Sequence, residues 1–558
     1  MTNLEIADLL RDVAAAYQLR NEAKNKFKII AYERAADAVE HASSELKDLW
    51  DERKLEDVPG VGKSIAEHLD ELFKTGKVKH FEVLMKGYSP KIFRLIRLPG
   101  IGPKSALKII KSGTVPKEIS VALKKLEAKP KRYLLPYAEQ IANEVISWMK
   151  RSSGIIRADS LGSLRRKAST IGDIDIAVAS NDAIKSIKHF VNYPKAKKIL
   201  EKGEATASIL LPGEVQVDLM VQNPESYGSL LQHFTGSKHH NIALREYSLK
   251  KGYSLSEYGI REIRSPKHKI RKFKSEEEFY NYLGLAWIPP ELREDVGEIE
   301  ASSMGKLPDL VELKDVKADL QIHSSFDIET SHDLGLSSME EVIKKADELG
   351  YEYLAFTEHN PSRSKHTDKQ IVEILKRKCE KVEQINYSGV KKVFNSLEID
   401  IMPDGSCPIP QEGFDYLDFA LVSIHSGFTL DREKMTERVL KALNWDPKVK
   451  IFAHPTARKL NEREGIELDW PKIFAYCKEN NKWLEINADP MRLDLPDFLV
   501  REAIKAGVKL TLGTDAHHKD HLDNMKYGVS VARRGWAETK DIVNTYSLEE
   551  FEKIINLK

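Results

Sequence analysis

From Ala318 onward the sequence repeats one rhythm that few folds can satisfy: short apolar runs, ADLQI, YLAFT, VFNSLEI, FALVSI, KIFAH, WLEIN and KLTLGT, separated by stretches long enough for a helix. Runs that are apolar on both faces need cover on both faces, and parallel strands alternating with helices supply it. A (β/α) barrel is therefore expected over the second half. The runs end beside Gln321, His323, Glu358, His359, Glu398, His425, His454, Asp515 and His517. In such barrels functional side chains gather at the C-terminal strand ends. One histidine there is ordinarily packed or solvated, but five on separate strand ends, with Asp515-Ala516-His517, point to bound metal. Imidazoles and carboxylates without thiolates favour Mn²⁺, Zn²⁺ or Fe, and such a cluster can generate hydroxide and stabilise a phosphoester transition state.

The first half is organised differently. Residues 1 to about 140 carry apolar positions at helical spacing, interrupted by two similar turns, Val58-Pro59-Gly60-Val61-Gly62-Lys63 and Leu98-Pro99-Gly100-Ile101-Gly102-Pro103-Lys104. Glycine permits positive φ and close approach, so amides at the turn and helix start can hold a phosphate oxygen without reading a base. One such turn would be a weak signal; two copies, each with a lysine close behind, are a stronger one. From about 155 to 222 IDIAVA, ASILL and VQVDLMV alternate like strands of a small sheet, and helix and loop follow. The stretch WIPPELREDVGEIEASSMGKLPD reads as a connector, with the main boundary near residue 310.

The most specific signal lies in that sheet. Leu161-Gly162-Ser163-Leu164-Arg165-Arg166 is followed by Ile171-Gly172-Asp173-Ile174-Asp175-Ile176, with Asp218 on a later strand. Aspartates at i and i+2 project to one face of a strand, and a third on a neighbour completes an oxygen cage. Such a cage suits two Mg²⁺ ions about 3.5 to 4 Å apart, which activate a hydroxyl and neutralise charge on a phosphate under attack. The Gly162-Ser163 turn and Arg166 are candidates for holding a triphosphate. Asp218 is the candidate general base.

At 558 residues, three or four folding units are expected. A net charge of +1 hides local basic segments, Lys104 to Lys111, Lys124 to Arg132 and Lys267 to Lys274, where a nucleic-acid face belongs. Cys379, Cys407 and Cys477 stand far apart, which excludes a disulfide framework and a zinc-thiolate site. The N-terminus lacks the pattern of a signal peptide and no run is long and apolar enough for a membrane, so a cytoplasmic, nucleoid-associated protein is expected.

Together these motifs resemble the family X DNA polymerases, the group that includes DNA polymerase beta, fused to a PHP (polymerase and histidinol phosphatase) domain as in bacterial and archaeal members. The paired Gly turns resemble helix-hairpin-helix motifs, which implies DNA contacts at Gly60, Gly62, Lys63, Gly100, Gly102 and Lys104. His233-Phe234-Thr235-Gly236-Ser237-Lys238-His239-His240-Asn241, through Arg245, resembles the family's nucleotide-facing stretch. By that similarity Phe234 and Gly236 exclude a ribose 2′-hydroxyl, Asn241 touches the base and Arg245 the template strand; Gly162, Ser163, Arg166 and Gly172 complete the nucleotide set. His233 stands where the family usually has Tyr. The pair His239-His240 is expected to be solvated or to face DNA, since neighbouring helical residues diverge. Asn25 to Ala36 resembles the family's 5′-phosphate grip, with Lys28 and Tyr32 as the matching residues. His68 falls where polymerase beta has its Schiff-base lysine, so strong deoxyribose-phosphate lyase activity is not expected.

The resemblance divides the chain into 1–88, a helical gap- and 5′-phosphate-binding domain with the first hairpin; 89–142, a helical DNA-binding subdomain with the second; 143–225, an α+β nucleotidyltransferase palm; 226–300, a nascent-base-pair or helical thumb subdomain; 301–314, a linker; and 315–558, a distorted (β/α)7 PHP barrel. It implies palm metals at Asp173, Asp175 and Asp218 and barrel metals, two or three Mn²⁺ or Zn²⁺ ions, at His323, His359, Glu398, His425, His454, Asp515 and His517. Gln321 replaces the first histidine of a His-x-His pair, Glu358 replaces an aspartate, and neither Asp327 nor Asp333 is in register with the family's next ligand. A template-directed, gap-filling repair polymerase with 3′-5′ exonuclease action is the implied function. Its substrates are gapped or primed duplex DNA and dNTPs, and it is expected to be a monomer working beside other base excision repair enzymes. A nuclease or phosphatase whose first half mainly binds gapped DNA, and a non-catalytic gap-binding scaffold, are the alternatives.

Overall fold

The computed structural model describes residues 3–40, 46, 50, 53–58, 60–96, 101–112, 119, 132–264 and 269–556; Pro59, Pro99 and Gly100 lie outside them. The N-terminal region is helical. Helix α1 (Asn3–Glu40) is broken at Asn21 and contributes Val13, Tyr17 and Val39 to the same apolar core as Ile65, Leu69 and Leu72 of α2 (Lys63–Thr75). Helix α3 (Pro103–Lys111) follows the second turn. Gly62 and Gly102 cap α2 and α3 with nearly the same backbone, φ −76°, ψ 165° and φ −75°, ψ 167°, and neither cap carries a side-chain hydrogen bond. Pro103 has no N–H, so the amides placed at these helix starts are those of Lys63 and Ser64 in α2 and of Lys104 and Ser105 in α3.

The palm is a sheet of β1 (Ile155–Ser160), β2 (Ile174–Ser180), β3 (Lys198–Lys202), β4 (Thr206–Leu210) and β5 (Gln216–Gln222) in the order β1-β2-β5-β4-β3. Only β2 and β5 pair in parallel. Helix α4 (Leu135–Met149) buries Ala138, Ala142 and Val145 in the same core as Ile176, Val178, Val217 and Leu219. The period of two then puts Asp175 and Asp218 on the opposite face.

Helices α5 (Tyr227–Thr235), α6 (Lys238–Lys250) and α7 (Glu276–Tyr282) build the next region. Here one expectation is corrected: His239 is exposed, but His240 is fully buried, its Nδ1 2.6 Å from Glu298 Oε1 and its Nε2 3.0 Å from Tyr280 Oη. Successive helical residues diverge, and that divergence sends one ring to solvent and the other into the core. Glu276, 3% exposed, joins Arg165 Nη2 at 2.6 Å to the fully buried Arg293 Nη1 at 2.6 Å. Burial alone would raise its pKa, but the two guanidiniums pull it down to about 2. A depressed folded pKa gives stability that is present above the unfolded value and lost as pH falls through the window from about 4.5 to about 2. Glu276→Ala strands a buried arginine and should cost about 3–5 kcal/mol in denaturant unfolding at pH 7. A loss below about 1 kcal/mol would count against a desolvated pair.

The second half consists of β6 (Ala318–Ile322), β7 (Tyr353–Phe356), β8 (Lys392–Asn395), β9 (Glu398–Asp400), β10 (Ala420–Ser423), β11 (Val449–Phe452), β12 (Trp483–Asn487) and β13 (Leu510–Gly513). All pair in parallel, as the sheets β6-β7-β8 and β9-β10-β11-β12-β13. The run VFNSLEI is thus two strands, split at Ser396-Leu397. Bridges His359↔Glu398 and Ile322↔Ala516 join the sheets at both seams, drawing the strand ends into one ring. Helix α8 (Met525–Arg534) packs toward the first half, where Tyr527 Oη donates to Glu139 Oε2 at 3.1 Å. No helix among the described residues is long and apolar enough to cross a membrane.

Candidate active sites

In the palm, Asp175 and Asp218 are direct partners across the parallel β2/β5 pair, and Asp173 sits in the bend leading into β2. Their ligand oxygens lie within 4.8 Å of one another. Burial, then Asp173 and Asp218, push the Asp175 carboxyl up to about 7 against the pull of Arg166. Three carboxylates that repel each other this way fit a multivalent cation. Gly162 has φ +56°, and a Cβ there would stand 2.2 Å from Asp175 Oδ2, so a side chain would strain the backbone and displace that carboxylate. Asp218 accepts from Gln216 Nε2 on both oxygens, at 3.0 Å each.

The nucleotide candidates run from the turn beside this cluster into α5 and α6. Ser163 lies in the short helix Gly162–Arg165. Arg166 donates from Nε to Glu294 at 2.9 Å and from Nη1 to the Thr235 carbonyl at 2.5 Å. Gly236, φ +69°, leaves room for that guanidinium: a Cβ would come within 3.0 Å of Arg166 Nη1. Gly172 lies beside the Arg132 guanidinium. Phe234 is half-buried beside Tyr227 and Leu231, with the His233 ring at 4.8 Å. Asn241 uses its amide locally, accepting from Gln232 Nε2 at 2.9 Å and donating to the His233 carbonyl at 2.7 Å. Arg245 is exposed on α6.

The N-terminal candidates are less concentrated. Lys28 and Lys63 are exposed, Lys28 with its Nζ 5.1 Å from the Tyr17 ring centroid, and Lys104 pairs with Glu22 at 2.6 Å. Tyr32 is buried, its hydroxyl 2.8 Å from His68 Nδ1. His80 and Tyr17, which the sequence did not single out, complete the group. The His68 and His80 rings stack at 5.0 Å, and Tyr17 Oη lies 2.6 Å from His80 Nε2. Burial, then His80, lower the His68 pKa, which favours a neutral ring.

In the barrel, the named strand-end residues converge on Glu398. Its Oε1 lies 2.9 Å from His454 Nε2 and 3.4 Å from His425 Nε2, and its Oε2 lies 3.2 Å from His323 Nε2 and 3.6 Å from His359 Nδ1. Asp515 Oδ1 is 3.1 Å from the same His323 Nε2, and the His517 ring stacks on His323 at 4.3 Å. Burial opposes a proton on His323, yet Asp515 and Glu398 push its pKa up to about 10, the response expected where carboxylates converge on one position. Both His323 nitrogens, His359 Nδ1 and His454 Nδ1 are buried without a hydrogen-bond partner, which fits donors reserved for metal.

The loop after β6 resolves the register problem. His332, not named from the sequence, stands 4.7 Å from the His359 ring and 4.9 Å from His425. Together the three rings form a group that could hold a metal ion. Asp400 orients both, 2.7 Å from His332 Nε2 and 2.7 Å from His425 Nδ1. Asp327 instead accepts from the Glu329 amide in a local turn. Glu358 is committed to Lys378 at 2.6 Å and to Ser324. Gln321 Nε2 donates to Glu398 Oε2 at 3.0 Å, and Arg492 Nε lies 3.3 Å from Asp515 Oδ2.

Residues 230–294 match the DNA polymerase beta thumb family and residues 1–78 a helix-hairpin-helix domain. The chain is 31% identical over 583 aligned residues to the DNA polymerase/3′-5′ exonuclease PolX of Bacillus subtilis, covering 100% of this chain and 99% of the relative. It is 24% identical to DNA polymerase lambda of Arabidopsis thaliana, over 52% of this chain and 62% of that one. A probable phosphatase of Acetivibrio thermocellus is 26% identical over 231 residues, 40% of this chain and 90% of the phosphatase.

Proposed function

Because the chain belongs to the family X DNA polymerases, of the type fused to a PHP domain, we propose that it fills short gaps in DNA at the palm and trims 3′ ends at the barrel. The domain limits named above and the likeness to the phosphatase support assigning the second activity to 315–558. Bound divalent cations, Mg²⁺ in the palm and two or three Mn²⁺ or Zn²⁺ ions in the barrel, supply charge neutralisation at phosphate and a more acidic hydroxyl or water. Asp173, Asp175 and Asp218 hold them in the palm. Glu398, with His323, His332, His359, His425, His454, Asp515 and His517, holds them in the barrel.

The chain's own groups do the rest. Asp218, fixed by Gln216, accepts the proton of the primer 3′-hydroxyl. The Gly162-Ser163 turn and Arg166 grip the triphosphate, Phe234 and Gly236 crowd the sugar, Asn241 meets the base edge, and Gly172 keeps the turn before Asp173 narrow. Arg245 faces the template strand. Lys28, Lys63 and the first N–H groups of α2 and α3, from Lys63 and Lys104 onward, take DNA phosphates. His68, bonded to Tyr32, offers no amine for an imine, so lyase action is not part of the reading. A monomer acting on gapped or primed duplex in base excision repair fits these groups.

The observation that carries this reading is the register pairing of Asp175 with Asp218 beside a positive-φ glycine where a Cβ would displace the Asp175 carboxylate. The test is a one-nucleotide-gapped duplex with a 5′-phosphate, incubated with Mg²⁺ or Mn²⁺, with and without dNTPs. Templated extension with dNTPs and shortening without them are expected. A primer that shortens but never lengthens would leave only the nuclease.

A further inference from the structure

One side chain of the barrel reaches the nucleotide turn of the palm. Arg534, the last residue of α8 and 9% exposed, donates from Nη1 to the main-chain oxygen of Arg166 at 2.7 Å and to Glu294 Oε1 at 3.0 Å. Its Nη2 and Nε hold Asp497 at 2.6 and 2.7 Å. The same Glu294 oxygen accepts from Arg166 Nε at 2.9 Å. Near the other end of α8, Tyr527 bonds to Glu139, which pairs with Lys167. One helix thus braces both Arg166 and Lys167, and it follows the metal-ligand segment Asp515 to His517 after a single short turn, Lys519–Asn524.

The charges give this contact a direction. Arg166, Glu294, Arg534 and Asp497 form a neutral chain, two cations alternating with two anions. Without Arg534 the same group is left at −1, with Glu294 held by Arg166 alone, beside the place where a polyanionic triphosphate must bind. Loss of Arg534 also removes the donor that fixes the Arg166 carbonyl. We propose that Arg534 is a positioning residue for nucleotide addition: from the barrel, it shares Glu294 with Arg166, balances that carboxylate's charge and pins the Arg166 main chain, so that the Arg166 guanidinium is held in place for the triphosphate. The proposal rests on Arg166 being a triphosphate ligand.

The test is equilibrium binding of the templated dNTP, with Mg²⁺, to the full chain on a one-nucleotide-gapped duplex whose primer is dideoxy-terminated, alongside steady-state gap filling on the extendable primer. Arg534→Ala should weaken dNTP binding and raise its KM by about tenfold, with kcat changed far less. Affinity for the gapped duplex and primer shortening should hold, which also reports that the variant is folded. Arg534→Lys should recover most of the loss. Glu294→Gln in the Arg534→Ala background should recover dNTP binding, because it returns the group to neutrality; a merely structural brace would be weakened further by the second change. Wild-type dNTP affinity in Arg534→Ala, or a double variant worse than the single, overturns the proposal. If wild-type chain neither binds dNTP nor extends the primer, the triphosphate reading of Arg166 falls and this proposal with it. If wild type does both while Arg534→Ala matches it, only this proposal falls.

Discussion

Asp175→Asn is expected to lower gap filling by at least about 10³-fold, roughly 4 kcal/mol of transition-state stabilisation, while primer shortening continues. The substitution keeps the shape beside Gly162 and removes only the charge, so the loss would be chemical. Its second signature is in stability. Burial and the neighbouring Asp173 and Asp218 hold the Asp175 carboxyl up at about 7, which means that its ionised form is unfavourable in the metal-free chain. Asn relieves that repulsion, so the thermal midpoint without divalent metal at pH 8 should rise while activity disappears. A variant that extends primers within about tenfold of wild type would remove Asp175 from the centre of the reaction.

Glu398→Gln is the corresponding experiment in the barrel. This carboxylate is fully buried and lies within 3.6 Å of a nitrogen of His323, His359, His425 and His454, so its negative charge is the common point of the cluster. Primer shortening should fall by at least about 10³-fold, and metal bound per chain, measured by elemental analysis after desalting, should drop. Gap filling should persist, since the palm keeps its own carboxylates. Shortening that survives with unchanged metal content would move the hydrolytic site elsewhere.

The palm site was legible because its parts are close in sequence or repeat a strand pattern: the Gly162-Ser163 turn, the Asp173-x-Asp175 spacing and Asp218 within an alternating run. The gathering of histidines and carboxylates in the barrel was legible for a related reason, since runs that need cover on both faces place their ends at one rim. His332 and Asp400 were not. One sits in the irregular loop after β6, and the other, two residues past Glu398, looks like an ordinary strand end until His332 and His425 are seen on its two oxygens. His240 was misread because periodicity tells which neighbour turns inward only when its partners, here Glu298 and Tyr280, are known. Glu358 stood out from its place beside His359 as a replacement for an aspartate, and Lys378 of a distant helix claims it. Contacts of this kind depend on pairings across 20 to 68 positions, which composition and spacing do not encode.

Two enzymes on one polypeptide are often treated as detachable modules. Here the seam runs through hydrogen bonds and salt links rather than along a tether: Tyr527 to Glu139 and Arg534 to the Arg166 main chain, with Arg533 paired to Glu291 and Arg534 to Glu294. Cutting the chain between 301 and 314 would leave carboxylates without their cations on one fragment and arginines without their acceptors on the other. A descendant that had lost hydrolysis altogether would therefore still be under selection to keep the barrel's helix α8, and splitting the gene would be harder than silencing either half.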